Sequence, residues 1–264
     1  MTSAARATAG FTLLELAIVL LVLGLVLAGG LTPLAMQLEA RDRANTDSRL
    51  SAAREALLGF AGSHGRLPCP DADGDGRADP PFDPARKDSA SCLRTQGFLP
   101  WAELGIAGRD AWGHPLGYVV TAPRFTWPDS DGLCNGNSSD ELDLCAQGTL
   151  VLRTRGDDPQ TQTVLEGKAE QVMADGVPAV VLSYGPQGNP DSSIGGAQPA
   201  PIGADERDNQ DGDARFVLRG PARGEPTCLD GPDETLPLCT FDDQGLWLPL
   251  VVLQERLVAA RRLP

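Results

Sequence analysis

The chain is poor in the residues that most often carry catalysis. It has two histidines in 264 residues, His64 and His114, each beside a glycine or a proline. No G-x-S-x-G elbow offers a serine nucleophile, and neither a G-x-x-x-x-G-K-[ST] nor a G-x-G-x-x-G loop offers a phosphate cradle. No two cysteines form a C-x-x-C pair, which argues against a zinc ribbon or a thioredoxin-like centre. Positive charge is also scarce: 22 Lys and Arg against 36 Asp and Glu give a net charge of −14, and an acidic body repels a phosphate backbone. Aromatic residues make up 5%, and Trp101, Trp112, Trp127 and Trp247 read as packing or turn residues rather than a sugar platform. These absences count against an enzyme and against a nucleic-acid binder.

The first 60 residues lack cysteine and net charge. They hold five arginines (Arg6, Arg41, Arg43, Arg49, Arg54) and five acids (Glu15, Glu39, Asp42, Asp47, Glu55), so the whole acidic excess lies beyond them. What they do have is a long apolar run. After the small, polar stretch Met1–Gly10 come Phe11-Thr-Leu-Leu-Glu15 and an apolar segment in which no residue from Leu16 to Met36 is charged. At 1.5 Å per residue that is long enough to cross a hydrocarbon core of about 30 Å. A secretory signal would have a shorter apolar region and a small-x-small cleavage site. A plain anchor gives no reason for Glu15, because a carboxylate costs roughly 2.5–3.5 kcal/mol at the centre of a membrane helix.

The polar stretch that follows keeps a helical period. Leu50, Ala53, Leu57 and Phe60 or Ala61 recur at three- and four-residue steps as one apolar stripe, and Gly62 and Gly65 provide a stop. Residues 11–61 as one helix would measure roughly 75 Å. Beyond it, 30 glycines and 22 prolines in the chain predict many turns. Between them lie short β-branched runs at Gly117–Thr121, Thr149–Thr154, Pro178–Tyr184, Arg215–Arg219 and Leu246–Leu253, followed by a short helix over Gln254–Arg262. The predicted fold is α+β: a long N-terminal helix, membrane-spanning in its first half, packed on an antiparallel β-sheet head.

Six cysteines, Cys69, Cys92, Cys134, Cys145, Cys228 and Cys239, all lie in the acidic part. An even number behind an export-like N-terminus predicts disulfides in an oxidising compartment, against free buried thiols as the alternative. Six cysteines allow 15 pairings; sequence neighbours, Cys69–Cys92, Cys134–Cys145 and Cys228–Cys239, are the simplest set. One motif carries candidate metal chemistry. Asp71, Asp73, Asp75 and Asp79, with Gly76 and the Arg77 carbonyl, stand at positions 1, 3, 5, 9, 6 and 7 of a calcium loop. Phe82 stands where the bidentate Glu belongs, so the pattern is a calcium-type loop and not an EF-hand; its competitor is a solvated acidic turn. A second acidic run, Asp205–Asp213, has poorer spacing and reads as solvated.

The N-terminal constellation resembles the class III signal of type IV prepilins and type II secretion pseudopilins: Gly10, then Phe11-Thr12-Leu13-Leu14-Glu15, then the apolar run. The resemblance implies residues 1–10 as a leader peptide, cleavage by a prepilin peptidase between Gly10 and Phe11, and N-methylation of Phe11. It implies 11–38 as a membrane-spanning and filament-core helix, 39–62 as the amphipathic second half, and 63–264 as an extracytoplasmic head. Glu15 becomes an assembly residue, set against the free amine of a neighbouring subunit. The implied setting is the inner membrane, crossed once, with the head in the periplasm. The implied partners are other pilins or pseudopilins and an inner-membrane assembly platform. Asp110-Ala-Trp112-Gly-His114-Pro115 is similar to the D-P-W-G-N-P segment of major pseudopilins, with Ala and His in place of Pro and Asn. The residues leave pilus and secretion system both open. The alternative from another class is a membrane-anchored adhesin or substrate-binding module on the same anchor.

Overall fold

A computed structural model describes residues 12–81, 92–126, 145–154, 171–188, 204–222 and 240–263, apart from the side chains of 25–34, 171 and 204. The chain packs as two units, 1–44 and 45–264.

Helix α1 runs Leu13–His64. In the first unit its described apolar side chains are exposed all round: Leu13, Leu14, Leu16, Ile18, Leu20 and Leu21 each show more than half their surface. Consecutive positions turn about 100° apart on a helix, so this is not an amphipathic stripe. Among the described residues no helix is long and apolar enough to cross a membrane. Side chains 25–34, in the middle of the predicted span, lie outside that set. The backbone of α1 continues through Gly24, Gly29, Gly30 and Pro33 without a break.

In the second unit α1 changes character. Leu50, Ala53, Leu57, Phe60 and Ala61 are buried, as the three- and four-residue steps predict, and so are Thr46 and Leu58, which lay outside the expected stripe. Two sheets complete this unit. The first has the order β1-β2-β5-β7, with β1 Gln96–Phe98, β2 Gly117–Val120, β5 Ala179–Ser183 and β7 Gln244–Leu248, all antiparallel. The second has the order β4-β3-β6, with β3 Leu150–Thr154, β4 Gln171–Val177 and β6 Arg215–Val217. Here β3 pairs antiparallel with β4 and parallel with β6, a departure from the purely antiparallel expectation.

Strand alternation separates two cores. Tyr118, Val120, Ala179, Val181 and Leu248 face one way and pack with Leu50, Ala53, Leu57 and Leu58 of α1. Val119, Val180, Leu182 and Trp247 face the other way and pack with Leu150, Leu152, Val177 and Phe216 of the second sheet. β2 and β5 are therefore covered on both faces, which is why Gly-Tyr-Val-Val and Ala-Val-Val-Leu read as unbroken apolar runs.

Helix α4, Leu250–Ala259, begins four residues earlier than the sequence predicts. Pro249 has no amide for the ladder and stands at the N-cap, so the apolar run divides there into strand and helix. Leu253 and Leu257, one turn apart, are buried in the same core as α1. Two short helices, α2 Trp101–Leu104 and α3 Ala204–Asp208, and the strands β1 and β4 were not among the expected elements.

Cys69 and Cys92 form the disulfide expected of sequence neighbours, with Cα atoms 5.3 Å apart. Cys145 is also disulfide-bonded. Cys134, Cys228 and Cys239 lie outside the described residues.

Candidate functional site

Of the N-terminal motif, Gly10 and Phe11 lie outside the described residues, while Thr12 and Glu15 lie within them. Glu15 occupies the first turn of α1, and among the described residues its carboxylate has no partner. The Thr12 carbonyl accepts the amides of Glu15 and Leu16 at 3.1 and 3.2 Å, and the Thr12 hydroxyl oxygen accepts the Glu15 amide at 3.3 Å.

The loop at Asp71 follows the helix and is held from both sides. The Cys69–Cys92 bridge closes it, and Asp71 and Phe98 exchange backbone hydrogen bonds of 2.9 and 2.8 Å. Asp71 is fully buried. One of its carboxylate oxygens accepts the amides of Asp73 (3.1 Å) and Gly74 (2.6 Å), and the other accepts that of Gly76 (2.7 Å). Asp73 and Asp75 each accept the amide two residues on, and Asp79 accepts that of Ala72. Gly76 has φ +86°, and a Cβ there would meet the Trp101 indole. Burial raises the Asp71 pKa; the three amides oppose that shift and the Asp75 charge adds to it. Oxygens of Asp71, Asp73 and Asp79 lie within 4.8 Å of one another, while Asp75 stands outside this group. Such hard donors fit calcium, and these three residues would hold it. The loop's shape, however, already follows from carboxylate-to-amide bonds.

A second acidic centre is buried. Glu206 on α3 and Asp242 and Asp243 before β7 bring carboxylate oxygens within 4.8 Å of one another. The Asp242 amide donates to Glu206 (3.0 Å), and Asn209 Nδ2 donates to Asp243 (2.8 Å) and to the Val217 carbonyl (3.0 Å). Beside them Arg219 donates to Asp205 at 2.6 Å, both side chains being buried, and its guanidinium covers the Phe241 ring at 4.4 Å. Burial holds the Asp243 pKa well above the usual carboxylate range; Glu206 and Asp242 push it further, and Asn209 and Arg219 oppose them. Gly185, at φ +60°, lets the backbone pass where a Cβ would strike the Asp242 carboxylate. The sequence reading treated Asp205–Asp213 as solvated. That holds for the exposed Asp211 but fails for Asp205, Glu206 and Asn209, which the fold buries. Phe241-Asp-Asp, an acid pair directly before an apolar strand, was the one local sign of this centre.

The third constellation is the Asp110 turn. Asp110 is buried. Its Oδ1 accepts the amides of Trp112 (3.0 Å) and His114 (2.8 Å), and its Oδ2 accepts the Ser183 hydroxyl of β5 (2.8 Å). From α1, Arg49 donates to the carbonyls of Arg109 (2.8 Å) and Asp110 (2.6 Å), and the Thr46 hydroxyl accepts the Ala111 amide. Asp, Ser and His meet here, but Ser183 is fully buried and donates to the aspartate, so they form a clamp and not a nucleophile relay. Trp112, read from the sequence as a packing or turn residue, is half-buried, and the anchor of the turn is Asp110. The two histidines are separate: His64 stacks on Phe60 at the end of α1, and His114 bonds the Gly185 carbonyl.

Comparison with protein-family models, curated proteins and solved structures finds no match.

Proposed function

We propose that this chain is a non-enzymatic structural subunit of the type IV pilin-like class, a minor pilin or a type II secretion pseudopilin. On this reading it is cleaved after Gly10, N-methylated on Phe11 and held in the inner membrane by the first half of α1. The observation that carries the reading is the two-part character of α1. Among the described residues, its first part exposes Leu and Val around the whole circumference, and its second part buries one stripe in a sheet-bearing head. An isotropic apolar helix in water is unfavourable at roughly 25 cal/mol per Å² of apolar surface. It is at home in lipid, or among copies of itself in a filament core.

Glu15 then has a chemical task. A carboxylate in an apolar surrounding is costly unless it meets an opposite charge. The amine that cleavage creates on a neighbouring Phe11 supplies that charge and sets the axial register. The test is mass spectrometry of the mature N-terminus together with Glu15→Ala. The expected results are loss of residues 1–10, gain of one methyl group, and loss of the Glu15→Ala variant from filaments. An intact Met1 in cells with active prepilin peptidase overturns the proposal. Normal filament incorporation of Glu15→Ala favours the anchored binding module instead.

A further inference from the structure

Four Asp-Gly pairs lie within the described residues: Asp73-Gly74, Asp75-Gly76, Asp175-Gly176 and Asp211-Gly212. Three of them turn the carboxylate past the glycine. Asp73, Asp75 and Asp211 each accept the amide two residues on, and Asp71 holds the Gly74 and Gly76 amides. Asp175 is folded differently. Gly176 donates its amide to Asp175 Oδ1 at 2.7 Å, so this carboxyl lies against the nitrogen of the next residue. The pair sits in an irregular stretch of the edge strand β4. Leu150 pairs with Val177 and Leu152 with Ala174, which sets both Asp175 and Gly176 opposite Val151. Gly176 has φ +69°, and only the Gly148 carbonyl oxygen comes within 4 Å of where its Cβ would stand. The Gly148 amide donates to the Gly176 carbonyl at 2.9 Å and so holds the glycine in place, while Asp175 is exposed to water.

We infer that Asp175-Gly176 is a site of spontaneous backbone rearrangement to isoaspartate. The Gly176 nitrogen forms a bond to Asp175 Cγ, the carboxyl C–O bond breaks, and the amide proton leaves with the carboxyl hydroxyl as water. The product is a five-membered succinimide. Water then adds across one of its two carbonyl–nitrogen bonds. Opening at Cγ restores aspartate, and opening at the Asp175 main-chain carbonyl leaves isoaspartate, in which the chain runs through the former side chain. One water is released and one taken up, so the rearrangement needs no enzyme and no cofactor. Ring closure needs a side chain folded back onto its own peptide bond and a following residue with no Cβ in the way. The folded chain supplies both here. The product adds one methylene to the main chain of β4 and places a free α-carboxylate at the sheet edge, the group that isoaspartyl methyltransferases esterify. This site is independent of the filament reading.

The experiment keeps the full oxidised chain folded in mild detergent, at neutral pH and body temperature, for several weeks. Isoaspartate is counted with an isoaspartyl methyltransferase and a labelled methyl donor, and located by peptide mass spectrometry with electron-transfer fragmentation. Asp175 is expected to convert about tenfold faster than Asp73, Asp75 and Asp211, because its carboxyl alone among the four is bonded to the amide it must join. In guanidinium chloride with the disulfides reduced, the four rates should agree within about twofold, since the geometry is then lost. Equal rates in the folded chain overturn the inference. A lead for Asp175 that survives unfolding overturns it too, because the neighbouring sequence would then account for the difference. Asp175→Glu, whose ring would have six members, should abolish labelling at this position, and label that persists there would show that another reaction is being counted.

Discussion

Asp110→Ala is expected to destabilise the head by about 3 kcal/mol. The carboxylate accepts three hydrogen bonds, from the Trp112 and His114 amides and the Ser183 hydroxyl. Hydrogen bonds to a charged acceptor are worth about 1.5–3 kcal/mol each, and burying the carboxylate takes back part of that. After truncation the two turn amides, on half-buried residues, can find water, whereas the Ser183 hydroxyl, fully buried, cannot. One orphaned buried donor costs about 1–3 kcal/mol, and the loosened turn adds the rest. Asp110→Asn keeps an oxygen toward the two amides and should cost only about 1 kcal/mol. Ser183→Ala combined with Asp110→Ala completes a double-mutant cycle, with an expected coupling of about 1 kcal/mol. Urea unfolding of the oxidised full chain in mild detergent measures each value, provided the m-value is unchanged. A loss below about 1 kcal/mol for Asp110→Ala, or additivity within about 0.5 kcal/mol, would show that the clamp is not a coupled unit.

Replacing Cys69 and Cys92 together by Ser opens a loop of 23 residues and should cost about 3 kcal/mol in the same assay, a value that an unchanged midpoint would contradict. The Tyr118 phenol is fully buried, donates to the Pro68 carbonyl and has its pKa held well above the ordinary 10 by that burial. Folded protein therefore keeps a proton that unfolded protein releases, and stability should fall as pH rises through about 10 and beyond. Tyr118→Phe should lose that slope while costing about 1 kcal/mol at neutral pH, and a slope that survives the substitution would point to another group. Chelation with EDTA should leave the Asp73, Gly74 and Gly76 amides protected from exchange, because the Asp71 carboxylate holds them; loss of protection would make a cation the organiser of the loop.

Local pattern made some features legible and distance in sequence hid others. Leu50, Ala53, Leu57 and Ala61 announce a buried stripe because a helix brings residues three and four apart onto one face. The five apolar, β-branched runs mark β2, β3, β5, β6 and β7, and only Pro249 shortens the last of them. β4 carries Ala-Asp-Gly in its middle and two register irregularities against β3, so it lacks the alternation that would have marked it. The Asp110 clamp joins residues 73 apart, and the acidic centre joins α3 to the approach to β7 across 36. Nothing near Asp110 or Glu206 in sequence distinguishes an acid that will be buried from one that stays in water. The Asp71 loop lies between these cases: its spacing showed a tight acidic turn, but not that Asp71 would spend its oxygens on its own backbone.

The chain closes on itself at the end of α1. Arg262 donates to the carbonyls of Gly62 and Ser63, and Leu263 is buried in the core that holds Leu57 and Ala61. Two of the carbonyls that a helix leaves bare at its C-terminus are thus covered by residues made some two hundred positions later. The end of α1 is therefore finished only when Arg262 and Leu263 are in place. A latch of this kind couples the two helix ends: replacing Arg262 leaves both carbonyls to water, so the end of α1 and the segment after α4 loosen together.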